Sequence, residues 1–205
     1  YLDDPVLEPD DLDALLSYRH DDWQPRRLSL LCRTAENADG FAGALDDLVE
    51  DADRAVRAGA SCLVLSDDGI DATHAAIPTL LAAAAVHQHL VRAGLRLRMS
   101  IVVDSGDARD EHALAALLGF GADAVCPRLA YVAIAFAGMQ PSAGAADLSR
   151  TRTRSHTSVT TVLRTLRSNV GVSTFRSYRG LGLFCSSPFP RSGHAPTFPP
   201  TLSPP

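Results

Sequence analysis

Apolar residues recur along residues 40–137 in two alternating patterns. Long stretches carry them every three or four positions, the spacing of one helix face, and short unbroken apolar runs typical of buried parallel strands lie between them. Strand, loop and helix in regular succession indicate an α/β domain with a parallel sheet and right-handed crossovers. The patterns predict helices over 40–57, 78–93, 109–118 and 129–137, and strands over 62–65, 99–103 and 122–126.

The amino-terminal part predicts two shorter elements. Leu12–Ser17 has helical spacing after the start signal Pro9-Asp10-Asp11, and the apolar run Leu28–Cys32 predicts a strand. The predicted fold is therefore α/β with a parallel sheet built from βα repeats. The pattern does not separate an open doubly wound sheet from a partial or degenerate (β/α) barrel, and both remain open at this point.

The pattern changes after residue 137. Residues 138–157 are rich in glycine, serine, threonine and arginine, while Val159–Leu166 regains helical spacing. A further helix over Phe175–Phe184 has a candidate cap in Ser173 or Thr174. Seven of the 13 prolines lie in the last 18 residues, which predicts a disordered tail. We expect one domain over 1–184, with its stable core at 40–137, and a disordered tail over 185–205.

Charge divides the chain slightly earlier, after residue 127. Residues 1–127 carry 23 acidic residues and 10 arginines, whereas residues 128–205 carry one acidic residue and nine arginines, and the chain has no lysine. The basic part does not predict nucleic-acid binding, because only one arginine and two phenylalanines follow Pro188. The charge change and the proline-rich tail favour the hypothesis of a truncated or frame-disturbed copy.

Membrane and secretory signals are not expected. No apolar run reaches the 18 or so residues that cross a bilayer, and residues 1–20 are acidic, unlike a signal peptide. The four cysteines are far apart in sequence, which argues against a zinc site or a disulfide framework and fits a reducing cytoplasm.

Two aspartates are the candidates for chemistry. Asp67 and Asp104 follow predicted strands, and ligand sites of parallel α/β folds lie at the carboxyl ends of strands. Either carboxylate could hold a ligand hydroxyl or act as a base. The alternative, which we favour, is that they cap helices and bind loop amides.

Other side chains and glycine motifs carry weaker signals. His87 and His89 lie two apart on a predicted helix and point in different directions, so they do not form a metal pair. His112 lies in another helix, and Ser105 is not in a hydrolase elbow. The string Gly119-Phe-Gly-Ala-Asp-Ala closes a helix rather than opening one, and Cys185 replaces the third glycine after Gly180-Leu-Gly, so neither supports a nucleotide site.

Several blocks of sequence stand out along the chain. They are Asp4-Pro-Val-Leu-Glu-Pro-Asp-Asp-Leu, Ala58-Gly-Ala-Ser-Cys-Leu-Val-Leu-Ser-Asp-Asp-Gly, Ile77-Pro-Thr-Leu-Leu-Ala-Ala-Ala-Ala-Val-His-Gln-His-Leu, Val102-Val-Asp-Ser-Gly-Asp-Ala-Arg-Asp-Glu-His, Gly119-Phe-Gly-Ala-Asp-Ala-Val-Cys-Pro-Arg-Leu-Ala and Gly171-Val-Ser-Thr-Phe-Arg-Ser-Tyr-Arg-Gly. In this order they resemble the central domain of the large subunit of glutamate synthase. The resemblance covers about residues 2–184, with a poor stretch near 138–157.

The chain also departs from the family pattern. Asp68 stands where the family tends to have the arginine of S-D-R-G, and Gln88 stands within its H-H-H-L. Cys126-Pro127-Arg128 replaces N-P-Y. The segment around Gly171 also differs, and the resemblance ends after Phe184.

The resemblance implies a part in making L-glutamate from L-glutamine and 2-oxoglutarate. In that family a glutaminase domain with an amino-terminal cysteine releases ammonia, and a tunnel carries it to a (β/α) barrel with FMN. Electrons reach the FMN through an iron–sulfur cluster from NADPH or ferredoxin. The central domain joins the two catalytic domains and helps to line the tunnel.

No catalytic, cofactor-binding or metal residue is carried over to this chain, which begins with Tyr1 and shows none of those motifs. The expected partners are the glutaminase and FMN domains, with a small electron-donating subunit or ferredoxin, and no nucleic acid or membrane. Two alternatives remain. One is a free-standing α/β domain that binds a ligand or catalyses a reaction through Asp67 and Asp104. The other is a non-catalytic scaffold, which an exposed apolar patch would favour.

Overall fold

The computed structural model describes residues 4–34 and 38–138, together with the single residues Thr161 and Gly171. Its main sheet has four parallel strands, and a second sheet pairs two short antiparallel strands. The strands of the main sheet are β1 (Pro25–Ser29), β3 (Cys62–Ser66), β5 (Ser100–Ser105) and β6 (Ala124–Pro127), and the small sheet pairs β2 (Leu31–Arg33) with β4 (His74–Ala76).

Helices follow the strands as the apolar spacing predicts. The helix over 38–57 carries apolar residues toward the sheet and acidic residues outward, and the next helix is rich in buried alanines. Their bounds are α1 Pro9–Ser17, α2 Ala38–Arg57, α3 Thr79–Arg92, α4 Glu111–Gly119 and α5 Arg128–Gly138, with a 3-10 turn at Arg96–Arg98.

Strand order separates the two open fold alternatives. The strands pair as β1-β3-β5-β6, each parallel to its neighbour, so the order follows the chain without reversal. A doubly wound sheet reverses its order at a switch point and places helices on both faces. Here successive crossovers of one hand place α2, α3 and α4 on one face. The described part therefore has the arrangement of a (β/α)-barrel segment.

Each face of the sheet has its own apolar core. The larger core lies between the outer face and helices α2, α3 and α4, and includes Leu63, Leu65 and Ile101. On the inner face, Cys62, Val64 and Val102 pack beneath Leu12 of α1 and Trp23. The amino-terminal segment also borders β6, because Val6 and Val125 form a parallel bridge.

The structure corrects several predicted bounds. The run Leu28–Cys32 is not one strand: it divides between β1 and β2 at Leu30, whose amide bonds to Ser66 and whose carbonyl accepts from Ile77. Asp104 and Ser105, which come after the strand predicted over 99–103, continue β5. The strand predicted over 122–126 is β6 at Ala124–Pro127, and α5 begins directly after it at Arg128. The predictions for residues 139–160, 162–170 and 172–205, including the tail, lie outside the described residues.

Candidate functional site

Polar residues collect where the parallel strands end. Three strand ends and the start of α5 bring together a group that we call the carboxyl-edge cluster. Because carboxyl ends of parallel strands meet at one edge, this is where ligand sites of such folds form. The cluster consists of Arg27, Ser66, Asp67, Asp68, Asp104, Ser105 and Arg128.

Asp67 is buried, with only 2% of its side chain exposed. Its two carboxylate oxygens accept from the amide of Gly106 at 3.0 and 2.8 Å. Arg128 Nη2 donates to the Oδ1 atom at 2.5 Å. The expectation that this aspartate binds a loop amide is thus confirmed, although it caps no helix. The hydrogen bonds use both oxygens.

Asp104 is buried to the same degree, with 1% of its side chain exposed. Arg128 Nε donates to Oδ1 at 3.1 Å. Oδ2 accepts from Arg27 Nη2 at 2.9 Å and from Ser66 Oγ at 2.7 Å. Each oxygen of this carboxylate therefore has a donor from within the chain.

Burial and charge act against each other in the cluster. Burial raises the pKa of Asp67, while the Gly106 amide and Arg128 limit the increase. Burial by itself would lower the pKa of Arg128, but the carboxylates of Asp104, Asp68 and Asp67 outweigh it and leave that pKa raised. Arg128 therefore stays charged and holds the three carboxylates together.

The hydroxyl of Ser105 is hydrogen-bonded to neighbouring groups of the fold. Its hydroxyl lies 3.2 Å from Thr79 Oγ1 and accepts from the amides of Asp107 and Ala108. Its hydroxyl also donates to the buried Asp67 Oδ2 at 3.4 Å, and within the described part of the chain no histidine contacts it. The cluster orders the loop after β5 and presents no acid–base pair to solvent.

A second polar group lies at the opposite edge of the sheet, and the sequence did not predict it. Arg96 is 8% exposed. Its Nη1 donates to the Met99 carbonyl, and its Nη2 donates to the Gly121 carbonyl and to Asp123. Arg96 Nε donates to His87 Nδ1 at 3.0 Å, so that nitrogen of His87 carries no proton. No spacing rule pairs an arginine with an aspartate 27 residues away.

The histidines that the structure describes do not assemble a metal site. His87 is buried against Arg96, while His89 Nε2 lies 3.0 Å from Asp53 on α2. His112 is exposed on α4. Among the described residues no three His, Cys, Asp or Glu side chains come together as metal ligands.

Helix α5 has an exposed apolar face. Leu129, Val132 and Phe136 share one side of the helix at i, i+3 and i+7, and they are 44%, 44% and 69% exposed. After Arg128 the helix has no charged residue. A helix that is apolar on all sides normally lies against other protein.

Comparison with known proteins identifies the family. A family model described as the glutamate synthase central domain matches residues 1–186. The chain belongs to this family.

Curated relatives agree. The NADPH-type glutamate synthase large chain of Bacillus subtilis (strain 168) is 37% identical over 182 residues, covering 88% of this chain and 11% of that protein. The NADH-type enzyme of Schizosaccharomyces pombe is 33% identical over 88% of this chain and 9% of its own. The ferredoxin-dependent glutamate synthase 1 of Arabidopsis thaliana is 35% identical over 89% and 12%. The chain thus spans about a tenth of the length of these relatives.

A solved structure supports the barrel arrangement. A double mutant of flavocytochrome b2 with sulfite bound matches with a TM-score of 0.53 and 16% identity, over 96% of this chain and 46% of that one. At this identity the likeness shows the fold alone. The partial-barrel alternative agrees with it and with the strand order.

The carboxyl edge of this glutamate synthase central domain does not fit a flavin phosphate. The β6 strand passes directly into α5 without a glycine-rich loop. Arg128, the cation at that point, is bound to Asp67, Asp68 and Asp104. The three carboxylates beside this cation would repel a phosphate at the start of α5.

Two departures from the family pattern contact each other. Asp68 replaces the arginine of S-D-R-G, and Arg128 replaces the tyrosine of N-P-Y. In the structure Arg128 Nη1 lies 3.3 Å from Asp68 Oδ1. The positive charge that the family pattern has at position 68 is thus found here at position 128, beside the buried carboxylates of Asp67 and Asp104.

No helix in the described part is long and apolar enough to span a membrane.

Proposed function

We propose that this chain serves as the domain that connects the glutaminase and FMN domains of a cytoplasmic glutamate synthase and helps to line its ammonia tunnel. In this role it contributes no catalytic residue to the synthesis of L-glutamate from L-glutamine and 2-oxoglutarate. The FMN and the iron–sulfur cluster are held by other parts of the enzyme.

The observation that carries the proposal is the contrast between the two surfaces at the carboxyl edge. The carboxyl-edge cluster contains the candidate reactive groups, but they are paired within the chain. Asp67 and Asp104 are buried, and each of their carboxylate oxygens accepts a hydrogen bond from the chain itself. The adjacent helix α5 instead exposes an apolar face. This combination favours a scaffold over a free-standing ligand-binding domain, because a scaffold needs surface to bind its neighbours and no reactive group.

The relatives' names support an electron donor outside this domain. Proteins that are 33–37% identical over this segment are named for NADPH, NADH or ferredoxin. Segments that are similar in sequence therefore occur with three donors. We infer that a small electron-donating subunit or ferredoxin binds elsewhere in the enzyme.

The test uses a full-length glutamate synthase that carries this domain. Leu129→Asp with Phe136→Asp places two charges on the α5 face, and we expect ammonia to appear in solution in excess of the glutamate formed. Glutamine hydrolysis should continue, because no glutaminase residue is changed. The control is Leu97→Asp, which alters an apolar residue that is 83% exposed in the 3-10 turn before β5.

If the α5 variant still released no ammonia in excess of the glutamate formed, the connecting role of this face would be contradicted. The isolated chain offers an independent check. It should release no ammonia from glutamine above background and should show no flavin absorbance. Glutaminase turnover from the purified chain would overturn the proposal that it contributes no catalytic residue.

A further inference from the structure

The first strand of the main sheet has an open edge in the described part of the chain. The strands pair in the order β1-β3-β5-β6, so β1 and β6 are the two outer strands. Residues 5–7 already lie along β6, where Val6 and Val125 form a parallel bridge and the Leu7 amide donates to the Val125 carbonyl. Along the outer side of β1 the described residues place no strand.

The hydrogen bonds of β1 show which of its residues face the neighbouring strand β3. The Leu30 amide, just after β1, donates to the Ser66 carbonyl of β3. Alternate residues of a strand point their backbone groups to the same neighbour. Arg26 and Leu28 therefore bond to β3.

The other residues of β1 point their backbone groups to the open edge. These are Arg27 and Ser29, and both are exposed. Pro25 belongs to the same outward set, and a proline at an edge position removes no hydrogen bond from the sheet. Two N–H groups and the carbonyls beside them are thus available to an added strand.

Side-chain space beside this edge is also open. A cleft of about 210 Å³ lies at the carboxyl end of β1, between Leu28 and helix α2. A cavity of roughly 150 Å³ can hold a benzene ring, so this cleft has room for one apolar side chain. Its lining includes the apolar Leu28, Ala44, Leu48 and Ile77, with Asp47 and Asp51 at the rim.

Arg26 adds a charge to the same side of the strand. It lies two residues before Leu28, so both side chains are on the face that α2 covers, and it is exposed. Among the described residues it has no ion pair, whereas Arg27 pairs with Asp68 and Asp104. A strand laid along this edge would place side chains beside Arg26 and Leu28 at positions two apart.

A second copy of β1 does not suit the edge. Two β1 strands related by a two-fold axis would run antiparallel and bring the arginines at 26 and 27 of both copies close together, and like charges opposed across a strand pair are destabilising. The rest of the enzyme is the other source of a strand, since this chain spans about a tenth of its relatives. Barrel folds close their edges with further strands.

We propose that an extended segment from another part of a full-length glutamate synthase adds to β1 as a parallel strand. It places an acidic residue beside Arg26 and, two positions on, an apolar residue in the cleft beside Leu28. Hydrogen bonds to the backbone of Arg27 and Ser29 hold it, and the two side chains select it. The inference rests on the proposed connecting role, but it uses a different surface from the apolar face of α5.

Hydrogen exchange at single amides, read by mass spectrometry, tests the pairing. In the isolated chain the amides of Arg27 and Ser29 should exchange at least about tenfold faster than those of Arg26 and Leu28, which bond to β3. In the full-length enzyme we expect exchange at Arg27 and Ser29 to slow by at least about tenfold, and an unchanged rate would overturn the proposal. Slowing in the isolated chain that grows with its concentration would assign the edge to a second copy, and would overturn it too.

Two substitutions at one position separate backbone pairing from simple burial. Ser29→Pro and Ser29→Ala both remove the hydroxyl that accepts from the Leu31 amide, but only proline removes the outward N–H. In the full-length enzyme Ser29→Pro should restore fast exchange at Arg27, and Ser29→Ala should leave it slow. Equal exchange rates in the two variants would contradict an added strand.

The charge of the added segment has its own test. In the full-length enzyme Arg26→Glu should accelerate exchange at Arg27 and Ser29 more than Arg26→Gln does, because it replaces an attraction with a repulsion. Equal rates in these two variants would overturn the acidic residue. If the α5 variant releases ammonia as expected while Arg27 and Ser29 exchange as fast as in the isolated chain, this inference fails and the connecting role stands.

Discussion

At the scale of the residue, burial of the two aspartates of the carboxyl-edge cluster has a large desolvation cost. Transfer of a carboxylate out of water costs several kcal/mol unless a partner offsets it. Asp67 and Asp104 are both almost fully buried, and Arg128 contacts both. Arg128 is therefore the cation that the two buried carboxylates share, and Arg27 is a second partner of Asp104 alone.

Arg128→Gln should lower the unfolding free energy by about 3 kcal/mol, because it removes the cation shared by Asp67 and Asp104 and leaves Asp67 buried without an ion pair. Urea denaturation followed by circular dichroism measures the change. Arg26→Gln is the control. Arg26 is exposed on β1, next to Arg27 of the cluster, and its replacement should lower the unfolding free energy by about 0.5 kcal/mol or less. Equal effects of the two variants would mean that the cluster contributes no more than surface charge.

The contact between Asp68 and Arg128 gives a second prediction. Arg128→Tyr alone introduces the family residue and should destabilise the chain like Arg128→Gln. Asp68→Arg together with Arg128→Tyr supplies a new cation beside the same carboxylates, so we expect it to recover at least half of the loss. A double variant no more stable than Arg128→Tyr would show that an arginine at position 68 does not reach Asp67 and Asp104 here.

At the scale of the element, periodicity predicted the helices and buried strands within a few residues. The prediction over 40–57 corresponds to α2 at 38–57, and the prediction over 62–65 corresponds to β3 at 62–66. Both have strong local patterns and bury one clear face, which is why sequence alone suffices.

Elements set by distant contacts were not predictable. Strand β4 has the sequence His-Ala-Ala, with no alternation, and it forms because β2 lies opposite. The same holds for Arg96, whose burial depends on Gly121 and Asp123. The candidate aspartates were found from their position after strands, but their partner Arg128 was not, because the sequence does not show which side chain faces them.

The turn between α4 and β6 gives an element-scale prediction. Gly121 has φ +125°, and a Cβ there would overlap the ring of His87 on α3. Gly121→Ala should therefore cost about 3 kcal/mol or more, since both the backbone and the packing are disturbed. Gly59→Ala is the matched control: φ is +100° and nothing lies within 4 Å of the added Cβ. It should cost about 1 kcal/mol.

Thermal or urea unfolding of both glycine variants makes the comparison. The difference between the two isolates the contact with His87, because the backbone penalty is shared. A Gly59 variant as unstable as the Gly121 variant would indicate that the close packing of Gly121 against His87 of α3 contributes little to stability.

At the scale of the whole molecule, the inner face of the sheet has an unusual covering. In a closed barrel the inner face is filled by side chains from strands across the barrel. Here α1 and residues 5–7 take that place in the described part, with Leu7 and Leu12 over Cys62 and Cys126. Trp23 adds to this cover, and its Nε1 donates to the Leu15 carbonyl at 3.0 Å. The amino-terminal segment is therefore part of the folded core.

The reactivity of the thiols tests this covering. Cys62 and Cys126 are 0% and 1% exposed. Burial, with lesser contributions from Asp123 and Asp104 respectively, raises the pKa of each to about 12. At pH 8 only about one in ten thousand of such thiols is ionised. Cys32 is only half buried, and its Sγ lies 3.5 Å from the Ala75 carbonyl.

We expect an aromatic disulfide reagent at pH 8 to label Cys32 at least about tenfold faster than Cys62 and Cys126, because the two buried thiols must wait for an opening of the structure. Peptide mass spectrometry assigns the labelled sites. Leu12→Ala should accelerate labelling of Cys62 and Cys126, since it removes a side chain that packs over them on the inner face. The labelling rate of Cys32 should be nearly unchanged. Ala14→Gly, at an exposed position of the same helix, controls for a general weakening of α1. If Cys62 reacts as fast as Cys32 in the unaltered chain, α1 does not cover the inner face in solution.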